Sequence, residues 1–397
     1  MRLLLTQTAY PPSIGGAQLH THQLACHLAQ RHQVQVVTQW DTQRTDWLLG
    51  TTLTAPRQTH TYQVDGVMVQ RISLSTQTRR RLAPWVLSYY VAQGLALKHI
   101  AEALAAEISP WATSADLIHN CRIGREGLSF ASFKLARAKA VPFVFTPVHH
   151  PRWGGWLHRH YHQLYRKADA VIALTDAERR ALVELGVDER RVFVTGIGPI
   201  LAETHCGPGF RARYGLGEDP LVLFVGQKHP YKGVAALLGA APIIWRRLPE
   251  TRFVFLGPRT SYSRRIFAGR RDPRLLELDA VSLQEKTDAL AACNLLCLPS
   301  TQESFGGVFT EAWSQGRPVV GADIPAVRAV IDEGQDGFLT APLPDSIAER
   351  LIYLLERPGL QAQMGARGRD KVAARYTWPR LVEQTEQVYA QVLKSGF

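Results

Sequence analysis

Apolar and polar positions along this chain fall twice into the same rhythm, short apolar runs alternating with longer segments of helical spacing. Residues 3–5 are an apolar run of strand length, and residues 10–16 follow as a turn rich in proline and glycine. Between 17 and 30 the residues Leu19, Leu24, Ala25, Leu28 and Ala29 recur at helical spacing, and 34–37 is the next strand. Strand, glycine turn, helix and strand together open a parallel sheet covered by helices. Residues 41–75 read as strands and loops with little chemistry. Further strands are predicted at 116–120, 141–147, 168–175 and 192–196, with Thr175 or Asp176 capping the helix after the third. A stretch rich in glycine and proline, 196–219, has the composition of an interdomain connection. The rhythm then restarts with strands at 221–226, 253–258, 276–281 and 295–298, and short strands and turns at 319–320, 330–331 and 337–339. From Ser346 onward the pattern is helical. The predicted class is α/β with two domains.

Length agrees, since 397 residues exceed one ordinary core and fit two domains of about 150–200 residues. Hydrophobic residues make up 46% and charged residues 20%, the balance of a soluble globular protein. No apolar run approaches the roughly 20 residues that cross a bilayer, and residues 1–5 are too few for a signal-peptide core. Five cysteines, an odd number without zinc-like pairing, fit a reducing cytoplasm better than a disulfide framework. Cys293 and Cys297, beside an apolar run, read as core. The net charge of +12 is uneven: residues 1–200 hold 22 Lys and Arg against 13 Asp and Glu, and 12 of the 14 histidines. That excess suggests an anionic partner, whether a phospholipid surface, a phosphorylated acceptor or nucleic acid.

The stretch from Pro299 to Pro318, PSTQESFGGVFTEAWSQGRP, carries the most chemistry. It follows the strand at 295–298 with a polar loop, two glycines (Gly306 and Gly307) and a helix-like segment. Backbone N–H groups and the positive end of a helix there form an anion site, phosphate above all. Glu303 and Glu311 bracket the glycines, eight positions apart. Spacing alone equally allows a solvated loop glutamate and an acid that complements the helix dipole. A lysine after the strand at 221–226, Lys232 beside Gly233, can point its ammonium at a diphosphate. His119, ending the strand at 116–120, is placed to meet a sugar, or is a satisfied core residue.

Taken in order, Pro299-Ser300, Glu303, Phe305-Gly306, Glu311-Ala312 and Gly316-Arg317-Pro318-Val319-Val320 resemble the E-x7-E signature of the retaining GT-B glycosyltransferases of family 4. The resemblance covers nearly the whole chain and is densest from Gly226 to Phe338. It implies two Rossmann-like domains facing an interdomain cleft, residues 1–196 on the acceptor side and 197–377 holding the nucleotide sugar. A last helix over 378–397 is then expected to cross back onto the first domain. It implies transfer from a UDP- or GDP-sugar to an acceptor hydroxyl with retained anomeric configuration, without a bound metal or other cofactor. Residue by residue, it gives Lys232 to the donor diphosphate, Glu311 to the ribose hydroxyls, and Glu303 with Phe305, Gly306, Gly307 and Val308 to the sugar and its leaving side. Gly15 and Gly16 approach the donor phosphate, and backbone groups of 280–282, ending at Ser282, hold the base.

Gln227 stands where relatives carry a phosphate-binding arginine, with Lys228 adjacent as a substitute. His119 matches the histidine of an Asp-x-x-His motif near the transferred sugar. In the next motif Val148 replaces the first histidine, leaving His149 and His150 as candidates on the acceptor side. The implied acceptor is a glycan, a lipid-linked sugar or a small molecule, in cell-surface glycan, glycolipid or polysaccharide synthesis, with the protein cytoplasmic and peripheral on an anionic inner membrane face. A sugar-nucleotide-binding protein without catalysis is the alternative, motivated by Gln227 and Val148. A nucleic-acid-binding protein fits the charge but lacks a reading motif.

Two basic and aromatic stretches, 78–90 and 152–167, read either as docking elements or as solvated segments. His22 and Cys26, one helical turn apart, suggest a metal pair, but with no carboxylate in sight exposed polar positions are the simpler reading.

Overall fold

The computed structural model describes residues 1–40, 52–54, 56–122 and 124–394. Two compact units divide it: unit 1 comprises Met1–Gly196 and Trp378–Phe397, unit 2 Ile197–Thr377. Residues 41–51 of the segment expected to hold strands and loops, and the last three of the expected 378–397 helix, lie outside the described residues. No helix among the described residues is long and apolar enough to cross a membrane.

Unit 1 is built on eight strands: β1 (Arg2–Ala9), β2 (Gln33–Trp40), β3 (His60–Val64), β4 (Val67–Arg71), β5 (Leu117–Cys121), β6 (Phe143–Thr146), β7 (Ala170–Ala173) and β8 (Val192–Val194). Their order is β3-β4-β2-β1-β5-β6-β7-β8, parallel except for β3 against β4. The central strands are buried along nearly their whole length, which is why they read as continuous apolar runs instead of alternating ones. Order reverses between β1 and β5, and the loops after these strands gather at the carboxyl edge where such sheets bind ligands.

The last helix, Trp378–Lys394, belongs to unit 1. Trp378 stacks on His27 with ring centroids 5.4 Å apart, Glu386 pairs with Arg31 and His32, and the Tyr389 hydroxyl lies 2.7 Å from His119 Nδ1.

Unit 2 holds six parallel strands: β9 (Leu221–Val225), β10 (Arg252–Leu256), β11 (Leu275–Leu278), β12 (Leu295–Leu298), β13 (Val319–Ala322) and β14 (Gly337–Thr340). Their order is β11-β10-β9-β12-β13-β14, so the switch point lies between β9 and β12. Of the last short strands and turns expected, residues 319–320 and 337–339 lie in β13 and β14, and 330–331 form a buried turn after the short helix Pro325–Arg328. Cys293 and Cys297 are buried free thiols.

Buried histidines give unit 1 a pH dependence. Desolvation, the leading cause in each, lowers His20 and His149 to about 4, and His119 and His158 to about 3. An unfolded histidine protonates near 6.5. Stability is therefore fully present above that pH and is lost as pH falls toward the folded values. Glu178, which burial raises to about 7, runs the other way, losing stability as pH rises from 4.5 through 7, as do Glu126 and Glu107, also raised by burial. These three carboxyls oppose six imidazoles, since burial lowers His160 and His162 too. Calorimetry is expected to show the unit 1 transition several degrees lower at pH 5 than at pH 7. An unchanged or higher transition would refute this.

Candidate active site

The strands that flank the switch point of unit 2 both lead into the site. After β9 the chain makes a one-turn helix, Pro230–Lys232, ending at Gly233 with φ 76°. A Cβ there would come within 2.2 Å of the Pro299 carbonyl oxygen, so glycine alone lets this turn lie on the loop after β12. The Tyr231 carbonyl then accepts from the Thr301 N–H at 2.8 Å and the Ser300 hydroxyl at 3.1 Å. These bonds seat Lys232, whose Nζ lies 2.5 Å from Glu303 Oε1 with both side chains largely buried.

Phe305 is buried edge-on against Tyr376, centroids 5.3 Å apart. Gly306, at φ 86°, caps the helix Gly307–Ser314, and a Cβ on it would strike the Phe309 ring. Gly307 and Val308 form the half-buried start of that helix, where first-turn N–H groups point out along the axis. One turn on, Glu311 is buried, its Oε1 2.7 Å from Lys286 Nζ. Lys286 also donates to the Ile200 carbonyl at 2.8 Å. Burial raises the Glu311 carboxyl, while Lys286 and the Ile200 N–H pull it down. The Ser282 hydroxyl is committed to capping the helix Leu283–Ala292, leaving its backbone as the part able to meet a ligand.

Gln227 sits half-buried just beyond β9. Lys228 does not take its place: the ammonium turns into the sheet edge, donating to Glu277 at 2.9 Å and to the Leu278 carbonyl at 2.6 Å.

In unit 1, Gly15 is extended at φ −173° and Gly16 begins the helix Gly16–Leu28. A Cβ on Gly15 would meet only the flexible Gln18 side chain, and one on Gly16 nothing within 4 Å. Gly16 is free of any local steric demand, whereas Gly15 lets the buried Gln18 side chain lie against its backbone. His119, expected either to meet the transferred sugar or to be a satisfied core residue, fits the second: Nδ1 meets Tyr389 and Nε2 meets the Thr146 hydroxyl at 2.8 Å. Both nitrogens are held inside the core, which makes it a packing residue. His149 lies beyond the end of β6, its N–H donating to the buried Glu178 at 2.6 Å, and His150 packs edge-on to Trp153. Val148 before them has φ 47°, a left-handed conformation that a β-branched residue rarely adopts and that gathers at functional loops.

Residues 15–198 match the family described as "Glycosyl transferase 4-like domain", and residues 219–357 that described as "Glycosyl transferases group 1". A phosphatidyl-myo-inositol mannosyltransferase of Mycolicibacterium smegmatis is 30% identical over 335 residues, covering 83% of this chain and 78% of that protein. The chain belongs to the family 4, group 1 glycosyltransferases. A Mycobacterium tuberculosis protein of the same name is 35% identical over 182 residues, spanning 44% of this chain and about half, 48%, of the relative. Among solved structures, HepE from Anabaena in complex with UDP and glucose superimposes with a TM-score of 0.76 at 18% identity, covering 98% of this chain and all of that one. Sucrose-phosphate synthase from Thermosynechococcus elongatus does so at 0.76 and 17%, with both chains fully covered. At such identities these superpositions establish the GT-B fold.

Two cations outside the sequence motifs shape the units, Lys286, partly buried, and Arg122, fully buried. Lys286 sits in no motif; only its place one turn after the Ser282 cap, across from Glu311, makes it matter. Arg122, just after β5, is fully buried, its guanidinium 4.3 Å from the Trp153 ring centroid and 4.0 Å from that of Tyr161. Its charge helps keep His149 neutral. The helix histidines also differ from expectation: His20 and His22 are buried, and a carboxylate, Asp65, does reach His22.

Proposed function

We propose that this glycosyltransferase moves a sugar from a UDP- or GDP-sugar to an acceptor hydroxyl with retention of configuration, in the making of cell-surface glycan, glycolipid or polysaccharide. The observation that carries it is the pair of lysine–carboxylate contacts, Lys232–Glu303 and Lys286–Glu311, at the two ends of the Gly306–Gly307 helix start. Lys286 keeps Glu311 ionised to accept both ribose hydroxyls. Lys232 and the helix N–H groups face the diphosphate and stabilise the charge that grows on it as the glycosidic bond breaks, which makes the chemistry metal-independent. Glu303, oriented by the same lysine, accepts from the sugar hydroxyls. His149, neutral near pH 7, and His150 are the groups of unit 1 offered to the acceptor.

Thermal shift with UDP, GDP and ADP, followed by a donor screen, tests this. Stabilisation by one nucleotide and slow hydrolysis of its sugar conjugate, lost in Glu303→Ala, are expected. No stabilisation by any nucleotide diphosphate would sink the reading. Binding without turnover would favour the inactive relative that Gln227 and Val148 suggest.

The acceptor side of the proposal is a lipid-linked acceptor reached from the cytoplasmic face of an anionic membrane. Leu87, Tyr90, Val91 and Leu95 are exposed, as are Trp156 and Leu157, with Arg80, Arg81 and Arg152 exposed beside them in sequence. A Cβ on Gly94 would lie 3.3 Å from the His160 ring, so the two stretches form one surface. Arg79 is not part of it, being buried against the carbonyls of Leu53, Pro56 and Leu74. Cosedimentation with phosphatidylglycerol vesicles should exceed that with phosphatidylcholine, fall with salt, and drop in Val91→Asp. Equal binding to both vesicles would contradict it.

A further inference from the structure

His22, Cys26 and Asp65 come from two separate elements and converge at one point on unit 1. His22 and Cys26 lie one turn apart on the helix Gly16–Leu28. Asp65 opens the two-residue turn between β3 and β4, whose flanking residues Val64 and Val67 pair. Both turn residues have positive φ, 46° for Asp65 and 80° for Gly66, the geometry that strand twist favours and that Asp-Gly supplies. The turn holds Asp65 Oδ2 2.8 Å from His22 Nε2. Cys26 Sγ lies 3.6 Å from the same nitrogen. The His22 side chain is 4% exposed and that of Asp65 73%, so the cluster has a walled floor and an open mouth.

We propose that His22 Nε2, Cys26 Sγ and a carboxylate oxygen of Asp65 bind one zinc-class divalent cation, with water as the fourth ligand. One sulfur, one imidazole nitrogen and one carboxylate suit zinc or cobalt and not the oxygen-seeking magnesium or calcium. Zinc bonds of about 2.3 Å to sulfur and about 2.0 Å to nitrogen place tetrahedral ligand atoms about 3.5 Å apart. Cys26 Sγ is near that distance from Nε2 but also 3.8 Å from Nδ1, beside the ring, so it must turn about its χ1 toward the Nε2 lone pair. The exposed Asp65 carboxylate must retreat by about half an ångström, which its side-chain torsions allow.

Tyr10 supplies the outer support. Its buried hydroxyl lies 2.9 Å from His22 Nδ1, and burial holds the phenol well above its ordinary value, so the hydroxyl oxygen stays available as an acceptor. With the Nδ1 proton donated to Tyr10, the Nε2 lone pair faces the cation, as outer partners of ligating histidines usually arrange. Without the cation the ring proton lies on Nε2 toward Asp65 and Nδ1 accepts from Tyr10; on binding, that proton is relocated to Nδ1, where Tyr10 accepts it, and the Cys26 thiol proton goes to solvent. The bound cation fastens the β3–β4 hairpin to the helix that begins at Gly16. This stands apart from the donor chemistry of unit 2.

The test uses the full chain, stripped with a chelator and titrated with Co2+. One equivalent should bind with a thiolate-to-cobalt charge-transfer band and tetrahedral ligand-field bands, and Zn2+ but not Mg2+ should displace it. Cys26→Ser should abolish the charge-transfer band, whereas Cys206→Ser, at the exposed free cysteine, should keep it. Asp65→Asn, on a solvent-facing turn, should weaken Co2+ at least 10-fold and remove the rise in melting temperature that Zn2+ gives the wild type. Absence of the band in the wild type, its survival in Cys26→Ser, or equal zinc stabilisation of Asp65→Asn overturns the proposal.

Discussion

Lys232→Ala will lower kcat/KM by about 100- to 1,000-fold, the scale of losing one preorganised group at a developing anion. Two effects add. The ammonium facing the diphosphate is gone, and Glu303, largely buried 2.5 Å from it in the wild type, is left as an uncompensated charge beside the incoming phosphates. The second effect makes a distinctive prediction. Adding Glu303→Gln to Lys232→Ala should recover donor affinity by roughly tenfold, because the repulsion is removed, without restoring turnover. Calorimetric titration with the nucleotide diphosphate and initial rates with the donor measure the two separately. A Lys232→Ala enzyme within threefold of wild type would remove Lys232 from the reaction.

Lys286→Met should be nearly as damaging, through Glu311. Burial already pushes that carboxyl up, and Lys286 is the principal force holding it down. Without the lysine the carboxyl rises further and takes up a proton, since a buried carboxylate without a partner neutralises itself before it bears the full cost of desolvation. In the role proposed above the ionised form accepts from the ribose hydroxyls, so donor affinity should rise with pH wherever Glu311 titrates. In the variant that rise moves to higher pH, and affinity at pH 7 falls about 10- to 100-fold. A parallel loss at every pH would mean that Lys286 touches the ligand itself. Methionine keeps the stem's volume, so the fold should survive.

The strand ends and turns that carry the proposed donor site were legible because their parts are local. The Glu303–Glu311 spacing, the two glycines and the Lys232–Gly233 turn each lie within a few residues of a strand end, and the strands are continuous apolar runs. The α/β class and the restart of the rhythm near 221 follow from the same runs. What could not be read depends on residues far apart in sequence. Lys286 meets Glu311 across 25 positions, and Asp65 meets His22 across 43, although the Asp65–Gly66 turn signal stood in plain view. His119 illustrates the converse. Its place at a strand end suggested chemistry, but its fate was decided by Tyr389, 270 positions away. The left-handed backbone at Val148 has no signal in its side chain, since valine is the last residue one would choose there.

The last helix has a consequence for the order in which the protein is made. All of residues 197–377 are synthesised before Trp378, Glu386 and Tyr389 exist to cover His27, Arg31 and His119. At about 5–20 residues per second, unit 1 waits roughly 10–40 s with that face open while unit 2 is completed. A chain truncated after residue 377 and released should therefore carry a protease-resistant unit 2 beside a unit 1 still lacking its final wall.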